Sequence, residues 1–119
     1  MNLTFNEEIF KNCRNKEQYF QYIEELVLLG REVQDNGIMA FGSEKWQNVT
    51  SYEREAIDLL CEGGPPNRLE FMLTTLLNTS DFTEDEYIKA VLFRVFVIFL
   101  QPGGISETEM KKLLLSHFG

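Results

Sequence analysis

A chain of 119 residues, 44% hydrophobic and 25% charged, holds enough apolar material for one buried core and too little length for two ordinary domains. Its formal net charge of −8 argues against nucleic acid or an anionic membrane surface as the partner, because both repel acidic proteins. Two cysteines and one histidine are too few for a zinc cluster, and Cys13 and Cys61 form no Cys-x-x-Cys pair; they read as two buried or partly buried free thiols.

The opening Met1-Asn2-Leu3-Thr4 runs into acids without an apolar h-region. No secretory signal is expected, and the chain reads as soluble and cytoplasmic. Thr4-Phe5-Asn6-Glu7 has capping-box spacing, in which a hydroxyl and a glutamate satisfy each other's backbone N–H. The same spacing recurs at Thr50–Glu53, Thr83–Glu86 and Ser106–Glu109. Asn15 is a further candidate cap.

From Lys16 to Gln34, Tyr19, Tyr22, Ile23, Leu26, Leu29 and Val33 fall on one helical face, with Glu17, Gln21, Glu24, Glu25 and Glu32 mainly opposite. Asn36-Gly37 predicts a break, and Ile38–Trp46 a short resumption of helix. A helix from Tyr52 to Cys61 buries Ala56, Ile57, Leu59 and Leu60 and stops at Gly63-Gly64. Pro65-Pro66 suits the first turn of the next helix, where a missing N–H costs nothing. Its stripe is Leu69, Met72, Leu73, Leu76 and Leu77.

Tyr87–Leu100 is the most apolar segment. Its Val91–Leu100 run has β propensity, but the good preceding cap and the lack of a partner strand favour a buried central helix. It is too short to span a bilayer, which needs about 20 apolar residues. Pro102-Gly103-Gly104 stops it, and a last helix turns Met110, Leu113, Leu114 and Phe118 inward. Leu69, Met72, Leu73 and Leu77 match those four at one constant offset, each set following a Gly-Gly. The expected fold is therefore all-α: one helical bundle over residues 1–119, of five to seven helices, with a trace of two related helical hairpins.

No catalytic apparatus is legible. His117 lies two residues from the end of the sequence, where a frayed tail would hold a catalytic histidine poorly. No Gly-x-Gly-x-x-Gly or Walker lysine motif occurs, so no phosphate cofactor is expected. Asp81, Glu84, Asp85 and Glu86 cluster where a helix dipole favours acids, which outweighs a metal reading. Gly103, Ile105, Ser106 and Glu109 sit where an EF-hand loop has its glycine, central apolar residue, ninth position and closing glutamate. The entry positions would be Ile98, Leu100 and Pro102, which carry no side-chain oxygen, so this alternative is a degenerate EF-hand-like regulatory domain without calcium.

Two blocks resemble the cytoplasmic parts of the bacterial flagellar motor stator A subunit (MotA-type). In Tyr19–Leu77 these are Leu26-Val27-Leu28-Leu29, Gly37-Ile38-Met39-Ala40-Phe41 and Arg54–Leu60 with Gly63, Pro66, Leu69, Met72 and Leu73. In Tyr87–Phe118 an apolar helix meets a Gln-x-Gly turn at Gln101 and Gly103, then an amphipathic helix. The family separates the blocks by membrane-spanning helices; here Asn78–Phe82 joins them. The family's torque-generating arginine falls on Gln34 and its glutamate on Gly42, so those charges do not carry over. The resemblance implies a soluble, motility-related accessory protein that keeps a docking surface.

The resulting expectation is a non-enzymatic module that binds another protein through the polar loop Gly42–Thr50 and the acidic starts of its helices. The contact candidates are Arg31, Glu32, Glu44, Lys45 and Trp46. Trp46 is a hot spot if exposed, and a core residue otherwise. Surplus apolar surface on Tyr87–Leu100 would instead pair the chain with a copy of itself as a homodimer.

Overall fold

Capping chemistry places the helix starts. The computed structural model describes residues 7–47, 49–100 and 106–118, with Glu7 and Lys45 described by their backbone alone. Six α-helices occur among them: α1 (Glu7–Lys11), α2 (Lys16–Asn36), α3 (Ser51–Glu62), α4 (Pro66–Thr79), α5 (Glu84–Phe99) and α6 (Glu107–Leu115). Short 3-10 turns η1 (Gly37–Gly42), η2 (Glu44–Trp46) and η3 (Ser116–Phe118) follow α2 and α6. Thr50, Thr83 and Ser106 each complete a reciprocal capping box, with Glu53, Glu86 and Glu109. Asn15 makes no capping hydrogen bond, and the Thr4 box lies outside the described residues. Gly63 and Gly64, at φ 76° and 107°, end α3 in a conformation that side chains resist. Pro66 then opens α4 as expected.

The apolar run 91–99 is helix, and no strand occurs among the described residues. α5 is the central rod and packs against α1, α2, α3, α4 and α6. Ile88, Ala90 to Phe93 and Val95 to Val97 are buried around nearly its whole circumference. That burial overrides the β propensity of valine and phenylalanine, because a capped helix satisfies its own backbone while it dries all its faces. Most of the apolar surface of this helix is therefore consumed inside one chain, with Phe99 left 39% exposed near its end.

Long-range contacts give the helix directions. Tyr19 meets Asp85, Tyr22 meets Lys89, and a Cβ on Gly30 would lie 3.4 Å from Phe96, so α2 and α5 run parallel. Arg31 meets Glu107, Glu24 meets Lys111, and Phe20 meets Phe118, so α6 runs antiparallel to α2. The Tyr52 hydroxyl donates to the Leu73 carbonyl at 3.0 Å, tying α3 to α4. Arg94 joins α5 to α4 through Thr74 at 2.9 Å and Glu70 at 3.6 Å.

The constant-offset pattern shows in the burial. Leu69, Leu73 and Leu77 are buried, as are Met110, Leu114 and Phe118, while Met72 and Leu113 are half-buried in their matching places. The two sets line the inward stripes of α4 and of α6 with η3.

Two expectations need correction. The tail is not frayed: Phe118 is buried, its ring centroid 5.2 Å from Phe10 and 6.1 Å from Tyr19. His117 stands 5.6 Å from the Phe10 ring, and its Nδ1 lies 3.1 Å from the Leu114 carbonyl oxygen. Aromatic packing against α1 holds this terminus, an effect that position along the chain does not reveal. Cys13 is buried, but Cys61 is exposed near the C-terminal end of α3, because the stripe of that helix passes through Ile57 and Leu59 instead.

A polar seam runs between α2, α3 and α5. The Tyr22 hydroxyl donates to Glu53 Oε2 at 2.7 Å, and Glu53 Oε1 accepts the Thr50 N–H at 3.0 Å. The Tyr19 hydroxyl donates to Asp85 Oδ1 at 2.6 Å. Burial pushes the phenols of Tyr19, Tyr22 and Tyr52 well above their ordinary range, helped at Tyr19 and Tyr22 by the neighbouring carboxylates.

Unfolded tyrosine ionises near pH ~10. Above that pH the unfolded chain sheds protons that the folded chain keeps. The stability present below pH ~10 is therefore lost as the pH climbs toward the raised folded values. Thermal melts from about pH 8 to about pH 11 should show a midpoint that falls most steeply beyond pH ~10. Tyr22→Phe should make that fall shallower, and an unchanged slope would contradict the burial of this phenol.

Candidate functional site

The sequence-predicted contact residues cluster where α2 ends. Gly37, at φ 72° and ψ −160°, breaks α2 and turns the chain into η1. A side chain at this φ would be strained, although a Cβ would meet no atom within 4 Å. The turn is pinned beneath by two aromatic side chains. Phe41 is buried, and Trp46 is 5% exposed with its ring 6.2 Å from Phe93. The Arg54 guanidinium donates to the Trp46 carbonyl at 2.8 Å, which ties η2 to α3.

Trp46 is thus a core residue rather than a surface hot spot. The physical reason is its neighbour on α5: Phe93 offers an apolar wall that the indole covers, which the loop sequence around Trp46 does not disclose. Arg31 is exposed and holds Glu107 in a two-pronged ion pair, Nε to Oε1 at 2.6 Å and Nη2 to Oε2 at 2.8 Å. The hydrogen bonds from Arg31 hold the Glu107 carboxyl below its usual range. Arg31 therefore staples α6 to α2. Glu32 and Glu44 are exposed. Lys45 lies in η2, and its side chain is outside the described residues.

What sequence reasoning missed is the apolar tip of the corner. Ile38 is 48% exposed and Met39 is 85% exposed. They sit between the buried stripe of α2 and the buried anchors Phe41 and Trp46, so the fold holds them outward. Their signal was the glycine break itself: a change of helix type after Asn36 rotates the next two side chains off the inward face.

Two of the four clustered acids and the closing glutamate of the EF-hand-like fragment are engaged structurally. Glu86 caps α5, while Asp85 bonds Tyr19 and pairs with Lys89 at 3.4 Å. Glu109 closes the Ser106 box, accepting from the Ser106 hydroxyl at 3.0 Å. The positions proposed for an EF-hand glycine and central residue lie outside the described residues. Among those described, no three histidine, cysteine or acidic side chains come together as a metal would require. A concavity of about 360 Å³ lies beside the α4–α5 connection, lined by Ile9, Leu77, Phe82, Glu84 and Tyr87 among others.

These features define a class: a small all-α bundle, built round one buried helix, with an apolar tip held out at one corner. No protein-family model matches the chain, and no curated protein or solved structure gives a significant match. No helix among the described residues is long and apolar enough to cross a membrane.

Proposed function

We propose that this chain is a non-enzymatic module that binds another protein through the corner formed by the end of α2, η1 and η2. The observation that carries this reading is the outward placement of Ile38 and Met39 above the anchored residues Phe41 and Trp46. A rigid base under exposed, adaptable apolar side chains is what a docking surface needs, and methionine suits variable partner shapes. The resemblance of Tyr19–Leu77 and Tyr87–Phe118 to the stator's cytoplasmic segments extends the proposal to a motility-related accessory role.

Photo-crosslinking in cells tests the docking reading. A photoreactive residue at position 39 should give a discrete adduct that is absent when the same residue replaces exposed Asp58 on α3. The double variant Ile38→Ser/Met39→Ser, with the photoreactive residue at Glu44, should lose that adduct while keeping its melting temperature. Identical adducts from positions 39 and 58, or none from 39, would refute the reading.

A further inference from the structure

We infer that this corner, together with the outward ridge of α2 that leads to it, selects a basic amphipathic segment of its partner. The inference rests on the docking reading above and adds the chemistry of the occupant. Leu28 is 51% exposed midway along α2, on the side opposite the buried stripe. Glu24, Leu28, Glu32 and Asp35 follow one another at helical spacing, so they form one ridge. That ridge runs into Ile38 and Met39. Two apolar anchor points therefore bracket exposed Glu32 and Asp35, with exposed Glu44 beyond the tip.

Two described cations beside the ridge are already engaged. Arg31 is already paired with Glu107, and Lys111 with Glu24. The whole chain carries −8, which adds long-range attraction for a cationic partner. A second copy is the wrong occupant. A two-fold contact would set this ridge against itself, bringing like carboxylates together and −8 against −8. The complementary surface is a helix with apolar residues every three or four positions and lysine or arginine between them.

The test uses the full chain and three synthetic helical peptides with the same leucine stripe. Their flanking positions carry lysine, glutamine or glutamate. The lysine peptide should bind at least about tenfold more tightly than the glutamine peptide, and the glutamate peptide should not bind. Raising salt should weaken the lysine peptide, because exposed charges are screened beyond about 10 Å at 0.1 M.

The deciding variant is Leu28→Asp/Met39→Asp. General attraction to an acidic protein predicts equal or tighter binding, since two negative charges are added. Docking on the ridge predicts a loss of about tenfold or more. The milder pair Leu28→Ser/Met39→Ser should fall between wild type and the aspartate pair, with both pairs retaining the helical spectrum and melt. Equal binding of lysine and glutamine peptides would overturn the basic preference and leave docking intact. Lysine-peptide binding that the aspartate pair does not weaken would overturn the ridge as the site, and failure of all three peptides would overturn the inference. A concentration-dependent dimer abolished by the aspartate pair would replace it with self-association. Failure of the docking reading itself is read separately, by the crosslinks at position 39.

Discussion

Phe93→Ala is expected to destabilise the fold by about 3–5 kcal/mol, the range for emptying an aromatic from a packed core. Phe93 is fully buried on α5, with Phe96 at 5.6 Å and Trp46 at 6.2 Å between ring centroids. It therefore bridges the central rod and the base of the corner formed by η1 and η2. Small domains are stable by only about 5–15 kcal/mol, so the variant should be largely unfolded under mild stress. The chain has one tryptophan, which makes Trp46 fluorescence a clean readout of urea unfolding. The midpoint should fall, and the native emission should shift to the red, because the wall covering the indole is gone. Phe93→Leu should cost less, since more of the volume remains filled. A loss below about 1 kcal/mol, the level of an ordinary substitution, would contradict the packing described for this helix.

Glu53→Ala is expected to cost about 2–4 kcal/mol. Glu53 is 4% exposed yet carries a carboxylate. Its two oxygens divide the work: Oε1 closes the Thr50 capping box and Oε2 receives the Tyr22 hydroxyl. Losing the carboxylate that accepts the Thr50 N–H costs about 1 kcal/mol, and stranding a buried hydroxyl costs about 1–3 kcal/mol. These figures add because different atoms are affected.

A double-mutant cycle with Tyr22→Phe separates them by chemical denaturation. Tyr22→Phe in the wild-type background should cost about 1–2 kcal/mol, because a hydrogen bond to a charged acceptor is lost. In the Glu53→Ala background it should cost almost nothing, since the stranded donor disappears with the hydroxyl. The coupling should thus exceed about 1 kcal/mol. Additive effects would mean that the two groups do not meet in the core. Glu53→Gln keeps one carbonyl acceptor and replaces the other oxygen with an amide donor, so it retains one of the two hydrogen bonds as drawn and should lie between wild type and alanine.

The legible part of this fold was whatever repeats locally. Capping boxes at Thr50, Thr83 and Ser106 and the stripes through Tyr19–Leu29 and Leu69–Leu77 depend on residues three or four apart, so the sequence displays them directly. Val91–Phe99 was harder, because a helix buried around most of its circumference has only Arg94 to mark a polar face. Only its cap and length spoke for helix.

The site was legible in position and less so in detail. Gly37 and the charges around it drew attention to the corner where α2 ends, and Arg31, Glu32 and Glu44 are exposed there. Trp46 could not be placed, because its burial depends on Phe93, 47 positions further along the chain. Arg31 stood out as a charge, yet its partner Glu107 comes from a different helix. The Tyr22–Glu53 pair was hidden for the same reason: Glu53 already had a complete local explanation as a cap. Long-range pairing escapes local periodicity, and it decided which candidate residues face outward.

The central claim is that the fold holds an apolar tip in solvent at the end of α2, and methionine oxidation tests it directly. Brief treatment with dilute peroxide, followed by peptide mass spectrometry, compares Met39 with Met110, which are 85% and 6% exposed. Sulfoxide formation follows access to the sulfur. Met39 should oxidise much faster than Met110, with half-buried Met72 between them, and the basic peptide should slow Met39 selectively. Oxidation of Met39 as slow as that of Met110 in the native protein would show the tip folded inward and contradict the account.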